Sequence, residues 1–416
     1  MALPAIPQRA AVASFQESSP GFAKGRTICL TIIQMPHFPK LRTAVALCAG
    51  VLLAGGPASA AGYWMYAGTY STGGSRGIYA FRFETGSGKM VPAGVAAAAA
   101  NPSFLLAHPN HKLLFAVNED GNQTVPGSVT SFSIDPKNGK LTQLSRVSSR
   151  GGAPCHLALD RSAGWLAVAN YASGSVAVLP VSADGKLGEA SAFVQQRGVS
   201  VNRERQSGPH AHAVLFSPDN RFLLVADLGA DRIFIYHFDA AHGRIAPNDP
   251  PSAEGPLGGG VRHLAFHPNG KVLYAINELA SSVTMFRYDA ERGALENLQT
   301  VSTLPQGFKA RNTAAEIAIN AQGSRVYASN RGHDSLALLA VDPVVFTLTA
   351  MEFPSIMGRT PRHFALDPEG ANAVVACQDS GLLLVFRVHP VTGQIQPRTR
   401  TARVPNPTCV VFVPMR

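Results

Sequence analysis

Runs of lysine and arginine are missing from this sequence, although its formal net charge is +10 over 416 residues. Dispersed charge of that kind does not mark a nucleic-acid surface, and no nucleic-acid partner is expected. A mildly basic surface still suits an anionic small molecule. Cysteine is scarce: Cys29, Cys48, Cys155, Cys377 and Cys409 occur, with no Cys-x-x-Cys among them. That spacing excludes a local dithiol or cysteine-based metal motif. The last three lie on β-type segments and read as buried free thiols, with a pair made by folding left open. No Gly-rich loop joins a strand to a helix, so no redox or organic cofactor is implied. No apolar run reaches membrane-spanning length. Charged residues make up only 15% and hydrophobic ones 46%, enough for a large core. What the sequence has in plenty is turn punctuation, 39 glycines and 30 prolines, spread along the chain rather than gathered in linkers.

Residues 40–61, KLRTAVALCAGVLLAGGPASAA, stand apart. Two positive charges precede an apolar run from Ala44 to Ala54, followed by Gly-Gly-Pro and Ala58-Ser59-Ala60. This is the pattern of a secretory signal peptide with cleavage after Ala60. Cys48 follows Leu47 rather than a small residue, which argues against a lipid anchor. Residues 1–34 show no clear pattern, and Met35 offers an ordinary start for such a peptide. The expected organisation is an N-terminal extension and signal over 1–60, then one domain over 61–416, periplasmic or secreted, with no membrane anchor after processing.

One pattern then recurs. Gly260–Tyr288, GVRHLAFHPNGKVLYAINELASSVTMFRY, shows it whole: a short strand, an Asn-Gly turn, a second strand, a polar turn and a third strand. Asn-Gly between apolar runs is a strong hairpin signal because both residues tolerate positive φ. Copies begin near residues 102, 154, 211, 261, 314, 361 and 407. A period of about fifty residues with several short strands signals a β-propeller. Tyr63–Tyr70 and Gly77–Phe83 match second and third strands with no first strand before them, and Asn406–Pro414 is a first strand with nothing after it. The two ends complete one blade and leave no free sheet edge. The expected fold is all-β, a seven-bladed β-propeller closed by pairing of N- and C-terminal strands in one shared blade.

The start of each first strand and the end of the neighbouring second strand share one face. That face collects His156, His210, His212, Arg262, His263, Glu278, Glu316, Arg331, Arg362 and His363. A buried Arg or Glu is costly unless paired, so a mutual Arg262–Glu278 ion pair competes with a functional role for both. Histidines at strand starts also serve blade turns. The residues closing the second strands (Asn118, Asn170, Asp227, Asn277 and Asn330) read as turn caps. Few carboxylates among many cations disfavour a Ca²⁺ site, and no metal is expected.

On these residues the chain resembles the seven-bladed lactonase family, which includes propeller-type 6-phosphogluconolactonases and fungal carboxymuconate cyclases. The motifs are GTYSTGGSRGIYAFRF, PHAHAVLFSPDNRFLLVADLGADRI, VRHLAFHPNGKVLYAINELASSV, AAEIAINAQGSRVYASNRGHDSL and TPRHFALDP, spread over Tyr63–Val413. The resemblance implies hydrolysis of a sugar lactone at one channel mouth by His212, Arg262, Glu278 and Arg331. His156, His210, His263, Glu316 and Arg362 are expected to contact substrate. The two arginines would stabilise the oxyanion. His212 is expected as general base, since Glu278 beside Arg262 should have a lowered pKa. The chain departs from the family at Gly260-Val261-Arg262-His263, where Gly-Pro-Arg-His is usual, and in its export segment, which bears on the phosphate of a cytoplasmic substrate rather than on the ring-opening. Two other classes stay open: a muconolactone-type cyclase or isomerase using the same residues, and a non-enzymatic periplasmic binding propeller.

Overall fold

The computed structural model of the chain describes residues 62–415. The unit singled out in the sequence forms one antiparallel sheet from Val261–Phe266, Val272–Asn277, Ser282–Asp289 and Ala294–Ser302. Its first turn differs in detail from the expected hairpin. Gly270 is left-handed (φ 69°) but Asn269 is not, and the Gly270 N–H closes a turn on the His267 carbonyl at 2.9 Å. A type I turn ended by a left-handed residue thus replaces the two-residue loop. His111, Ala163, Asn220, Gly323 and Gly370 hold the same left-handed place in other blades.

Seven such four-stranded sheets account for the 28 strands, and no α-helix occurs among the described residues. Blade I takes its inner strand from the far end of the chain. Pro407–Pro414 pairs with Gly62–Thr69, from Tyr63↔Pro414 to Thr69↔Pro407. The inner strands of blades II to VII are Leu105–Ala107, Pro154–Leu159, Ala211–Phe216, Val261–Phe266, Thr313–Ile319 and Pro361–Leu366. The ring closes as the repeat implies. The expected signal peptide lies outside the described residues; the strand Gly62–Thr69 is a full member of the ring.

Burial explains why the second strands read as unbroken apolar runs. LLFAVN, FLLVAD, VLYAIN and NAVVAC are buried at every position. Each blade packs both faces against neighbours, so both side-chain rows must be apolar. Seven hydrophobic clusters result, and each joins two adjacent blades, the last bringing Val374 and Leu383 of blade VII onto Met65 and Phe81 of blade I. Fully burying one such Leu or Phe contributes roughly 1.5–3 kcal/mol. Outer strands alternate instead, as in Lys89–Ala98, because one row faces solvent. Cys155, Cys377 and Cys409 are free and buried.

One irregularity recurs at the channel. Pairing of inner and second strands skips Cys155, His212, Arg262, Arg362 and Thr408, and in blade VI it steps from Ala314 to Ile317. These are β-bulges, which bend a strand and re-aim the extra side chain. Six of the seven inner strands therefore turn one residue away from the regular alternation, close to the same end of the channel.

Candidate active site

Two repeat positions build the site. The first is the bulged residue of the inner strand. The second is the residue just after the second strand's cap: Tyr70, Glu119, Tyr171, Glu278 and Arg331. The caps themselves do structural work. Asn170 Nδ2 donates to the Ser149 carbonyl, Asn330 Nδ2 to the Thr303 carbonyl, and Asp227 accepts the N–H groups of His210 and Ala230. With its cap held, the following side chain points into a cavity of ≈ 680 Å³.

Glu278 is the electrostatic centre of that cavity. Arg262 Nε donates to its Oε2 at 3.0 Å, Arg331 Nη2 lies 2.9 Å from the same oxygen, and Arg205 Nη2 donates to Oε1 at 2.8 Å. The expected Arg262–Glu278 pair is present, but as one part of a three-guanidinium cage. Burial alone would raise the Glu278 pKa; Arg331, Arg262 and Arg205 outweigh it and hold the carboxyl at about 2. Glu278 is therefore an anion with little basicity. Arg262 is fixed further by donation from Nη1 to the Ala315 carbonyl (2.6 Å), and Arg331 by donation to the Ala314 carbonyl (2.9 Å).

Across the cavity Arg362 lies over the Tyr70 ring, 5.1 Å from its centroid, and donates from Nη2 to the phenol oxygen at 2.7 Å. The Tyr70 hydroxyl in turn donates to Glu119, which also accepts the Ser103 hydroxyl. Arg205, Arg311, Arg331 and Arg362 thus face the cavity together with Glu119, Glu278 and Asp379.

His212 stands between these two groups and is 5% exposed. Its pKa is pushed well below the ordinary value by burial first, then by Arg262, His263 and Arg362. It is neutral at physiological pH, and its Nδ1 has no protein partner. A buried neutral imidazole beside a cationic cavity can accept a proton from a bound water.

The other sequence candidates fall in four places. Arg362 and the bulged Arg262 sit near the cavity, although Arg262 lines a smaller chamber of ≈ 10 Å³ rather than the cavity itself. His263, Glu316 and His363 line that chamber too, one residue deeper than the bulges. His156 packs beneath them, its ring 4.2 Å from Phe104 and 4.9 Å from His263. His210 does not line either space: it stacks on Tyr171 at 4.6 Å and its Nδ1 is 2.9 Å from the Tyr171 carbonyl oxygen. Among the described residues no three His, Cys, Asp or Glu side chains are set to hold a metal ion.

Sequence reasoning missed Tyr70, Glu119, Tyr171, Arg205, Arg311 and Asp379. For Glu119 the signal existed, since Asn118-Glu119 occupies the same repeat position as Asn277-Glu278. Arg205 had none. It comes from the segment between blades III and IV, where Asp231 accepts from the Ser200 hydroxyl, the Gln206 amide and the Gly260 N–H.

Comparison with known proteins agrees with this fold. The family model for "Lactonase, 7-bladed beta-propeller" matches residues 64–412. A 6-phosphogluconolactonase of Bacillus subtilis is 32% identical over 351 residues, covering 84% of this chain and 98% of that protein. One from Formosa agariphila is 31% identical over 324 residues, covering 77% and 90%. Among solved structures, the periplasmic gluconolactonase of Pseudomonas aeruginosa superposes with a TM-score of 0.81 at 36% identity, covering 85% of this chain and all of that one. The chain belongs to the seven-bladed β-propeller lactonase family.

Proposed function

We propose that this protein hydrolyses a sugar-derived, anionic lactone of the gluconolactone type outside the cytoplasm. The observation that carries the reading is the pairing, in one cavity, of a neutral buried His212 with a Glu278 carboxylate held by three guanidiniums. His212 takes a proton from water as the water oxygen adds to the lactone carbonyl carbon. Arg331, with Arg262 behind it, stabilises the oxyanion that forms; fixed donors in a partly dry site are a large catalytic contribution. Glu278 does not act as the base, because its cage holds its pKa low and leaves the carboxylate little basicity; it holds the guanidiniums in place. The proton returns to the ring oxygen as the C–O bond breaks, leaving a hydroxy acid.

The excess of guanidiniums around the cavity favours a substrate with a carboxylate or phosphate. A gluconolactonase described as periplasmic among the related structures, together with the signal-like residues 40–60, supports action after export and a mature chain from Ala61, with Met35 as the start. The test is lactone hydrolysis by protein beginning at Ala61, followed by pH-stat. Glucono-1,5-lactone and its 6-phosphate serve as substrates and Arg262→Ala as control. Turnover lost in the control supports the reading and shows whether phosphate is needed. No turnover above spontaneous hydrolysis on either lactone would overturn it.

A further inference from the structure

The chamber beneath the cavity contains a second carboxylate in a different setting. Glu316 is 8% exposed and sits on the irregular stretch of the blade VI inner strand. His263 of blade V places Nδ1 at 3.1 Å from both of its oxygens, and His363 of blade VII places Nε2 at 3.3 Å. The Ile317 N–H adds a third contact at 3.0 Å. Among the described residues no lysine or arginine pairs with it; its charged-group partners are the two imidazoles.

This contact has a direct chemical consequence. A carboxylate against Nδ1 holds His263 as the Nδ1–H tautomer and leaves Nε2 as an acceptor. That Nε2 is buried and has no protein partner. The chamber of ≈ 10 Å³ that His263 lines has room for about one water. It shares Cys155, Glu119, His212 and Arg362 as walls with the main cavity. The His212 and His263 rings are 5.1 Å apart between centroids.

We propose that Glu316, acting through His263, is a positioning residue for the reaction: it sets the His263 tautomer and supplies the negative charge that lets the histidine layer hold the proton taken from water. The proposal rests on the lactonase reading. When the water O–H bond breaks, the proton goes to His212 while the oxygen bonds to the carbonyl carbon. An imidazolium at His212 lies beside Arg262 and Arg362, both of which repel it. Glu278 cannot offset that charge, because three guanidiniums already surround it. Glu316 is the carboxylate in direct contact with His263; burial, Arg262, Arg362 and Arg331 work against a proton on His263, and Glu278 works for one. His156 and His363 complete the surroundings, both with pKa values lowered first by burial and raised in part by Glu316. No proton is gained or lost by the layer over a turnover, since it goes back to the ring oxygen as the C–O bond breaks.

The competing role is purely structural, a cross-link between blades V, VI and VII. Glu316→Gln separates the two, because the amide oxygen still accepts the Nδ1–H but carries no charge. The expected result is a fall in kcat of about tenfold or more, KM within about twofold, and an acid limb of the pH–kcat profile moved to lower pH. Glu316→Asp is expected to recover part of kcat. Unchanged kcat and an unchanged pH profile in a folded Glu316→Gln protein would overturn the proposal. Nitrogen NMR of the wild-type histidines gives a second readout that needs no turnover. His263 is expected as the Nδ1–H tautomer; an Nε2–H tautomer would overturn the proposal even if Glu316→Gln did not fold. The same spectra decide the matter if no lactone is hydrolysed, so failure of the lactonase reading and failure of this proposal are told apart.

Discussion

Glu278 and Glu316 are both buried glutamates at one end of the same channel, yet their surroundings are opposite. Arg205, Arg262 and Arg331 converge on Glu278, whereas two histidines meet Glu316. The difference begins in the backbone. Glu278 follows a capped second strand and points into the open cavity. Glu316 lies within an inner strand, level with the residues after the bulges. Guanidiniums stay charged and make their carboxylate inert as a base. Imidazoles can gain and lose a proton, so their carboxylate governs where that proton rests.

The largest way to break this contrast is to remove the upper charge. Glu278→Gln leaves three guanidiniums in one place without a counter-ion, two of them largely buried (side chains of Arg262 and Arg331 3% and 13% exposed). Breaking a buried ion pair by deleting one partner typically costs about 3–5 kcal/mol. A loss of that order in urea unfolding is expected, with hydrolysis reduced by at least about a hundredfold because the arginines lose their fixed positions. A variant as stable as wild type would mean that the cage is not a stabilising element. A double-mutant cycle with Arg262→Gln is expected to recover part of the loss.

A second break is a two-stage loss of stability in acid, the buried histidines first and Glu278 after them. His156, His212 and His263 have pKa values well below 6.5, and His363 is pushed down to about 4, in each case by burial first. The unfolded chain takes up protons at these positions below about pH 6.5 while the folded one does not. Stability therefore falls as pH drops from about 6.5 toward 4, by up to about 1.4 kcal/mol per pH unit for each such histidine. Glu278 behaves as a depressed carboxyl. Its contribution is complete above the unfolded value of 4.5 and is lost as pH falls through that value toward 2. Unfolding free energies measured from pH 7.5 to 3 should show the first decline reduced in His363→Gln and the second in Glu278→Gln. A flat profile between pH 6.5 and 4.5 would contradict the placement of four neutral, buried histidines at this end of the channel.

How much of this was legible in the residues follows from what a repeat can encode. The blades, their order and the shared closing blade are visible because two-sided burial writes apolar second strands at a regular period. The channel end is visible as well, since charged and imidazole residues return at strand starts. The split into layers is not. Arg262 and His263 are neighbours in the chain, but a bulge sends the first toward Glu278 and leaves the second against Glu316. Pattern at period two cannot show a residue that leaves the pattern. His210 shows the converse case: it precedes the inner strand and stacks on Tyr171 instead of facing the cavity. Tyr70, Glu119 and Tyr171 were readable from their repeat position, whereas Arg205 lies outside any repeat.

Arg205 offers the finest adjustment of the comparison. It is the cage member with the most solvent, its side chain 36% exposed, and it bridges the Tyr171 hydroxyl (3.1 Å) and Glu278 (2.8 Å). Screening limits what an ion pair at that exposure contributes, about 1 kcal/mol or less. Arg205→Ala should therefore leave unfolding close to wild type, unlike Glu278→Gln. Its effect is expected in KM, raised several-fold for a charged lactone and less for a neutral one, because it removes one cation facing the cavity while Arg262 and Arg331 still hold Glu278. Comparing kcat and KM for glucono-1,5-lactone and its 6-phosphate measures this. Equal losses on the two substrates would assign Arg205 to holding the cage rather than to attracting the anion, and would make all three guanidiniums parts of one rigid unit.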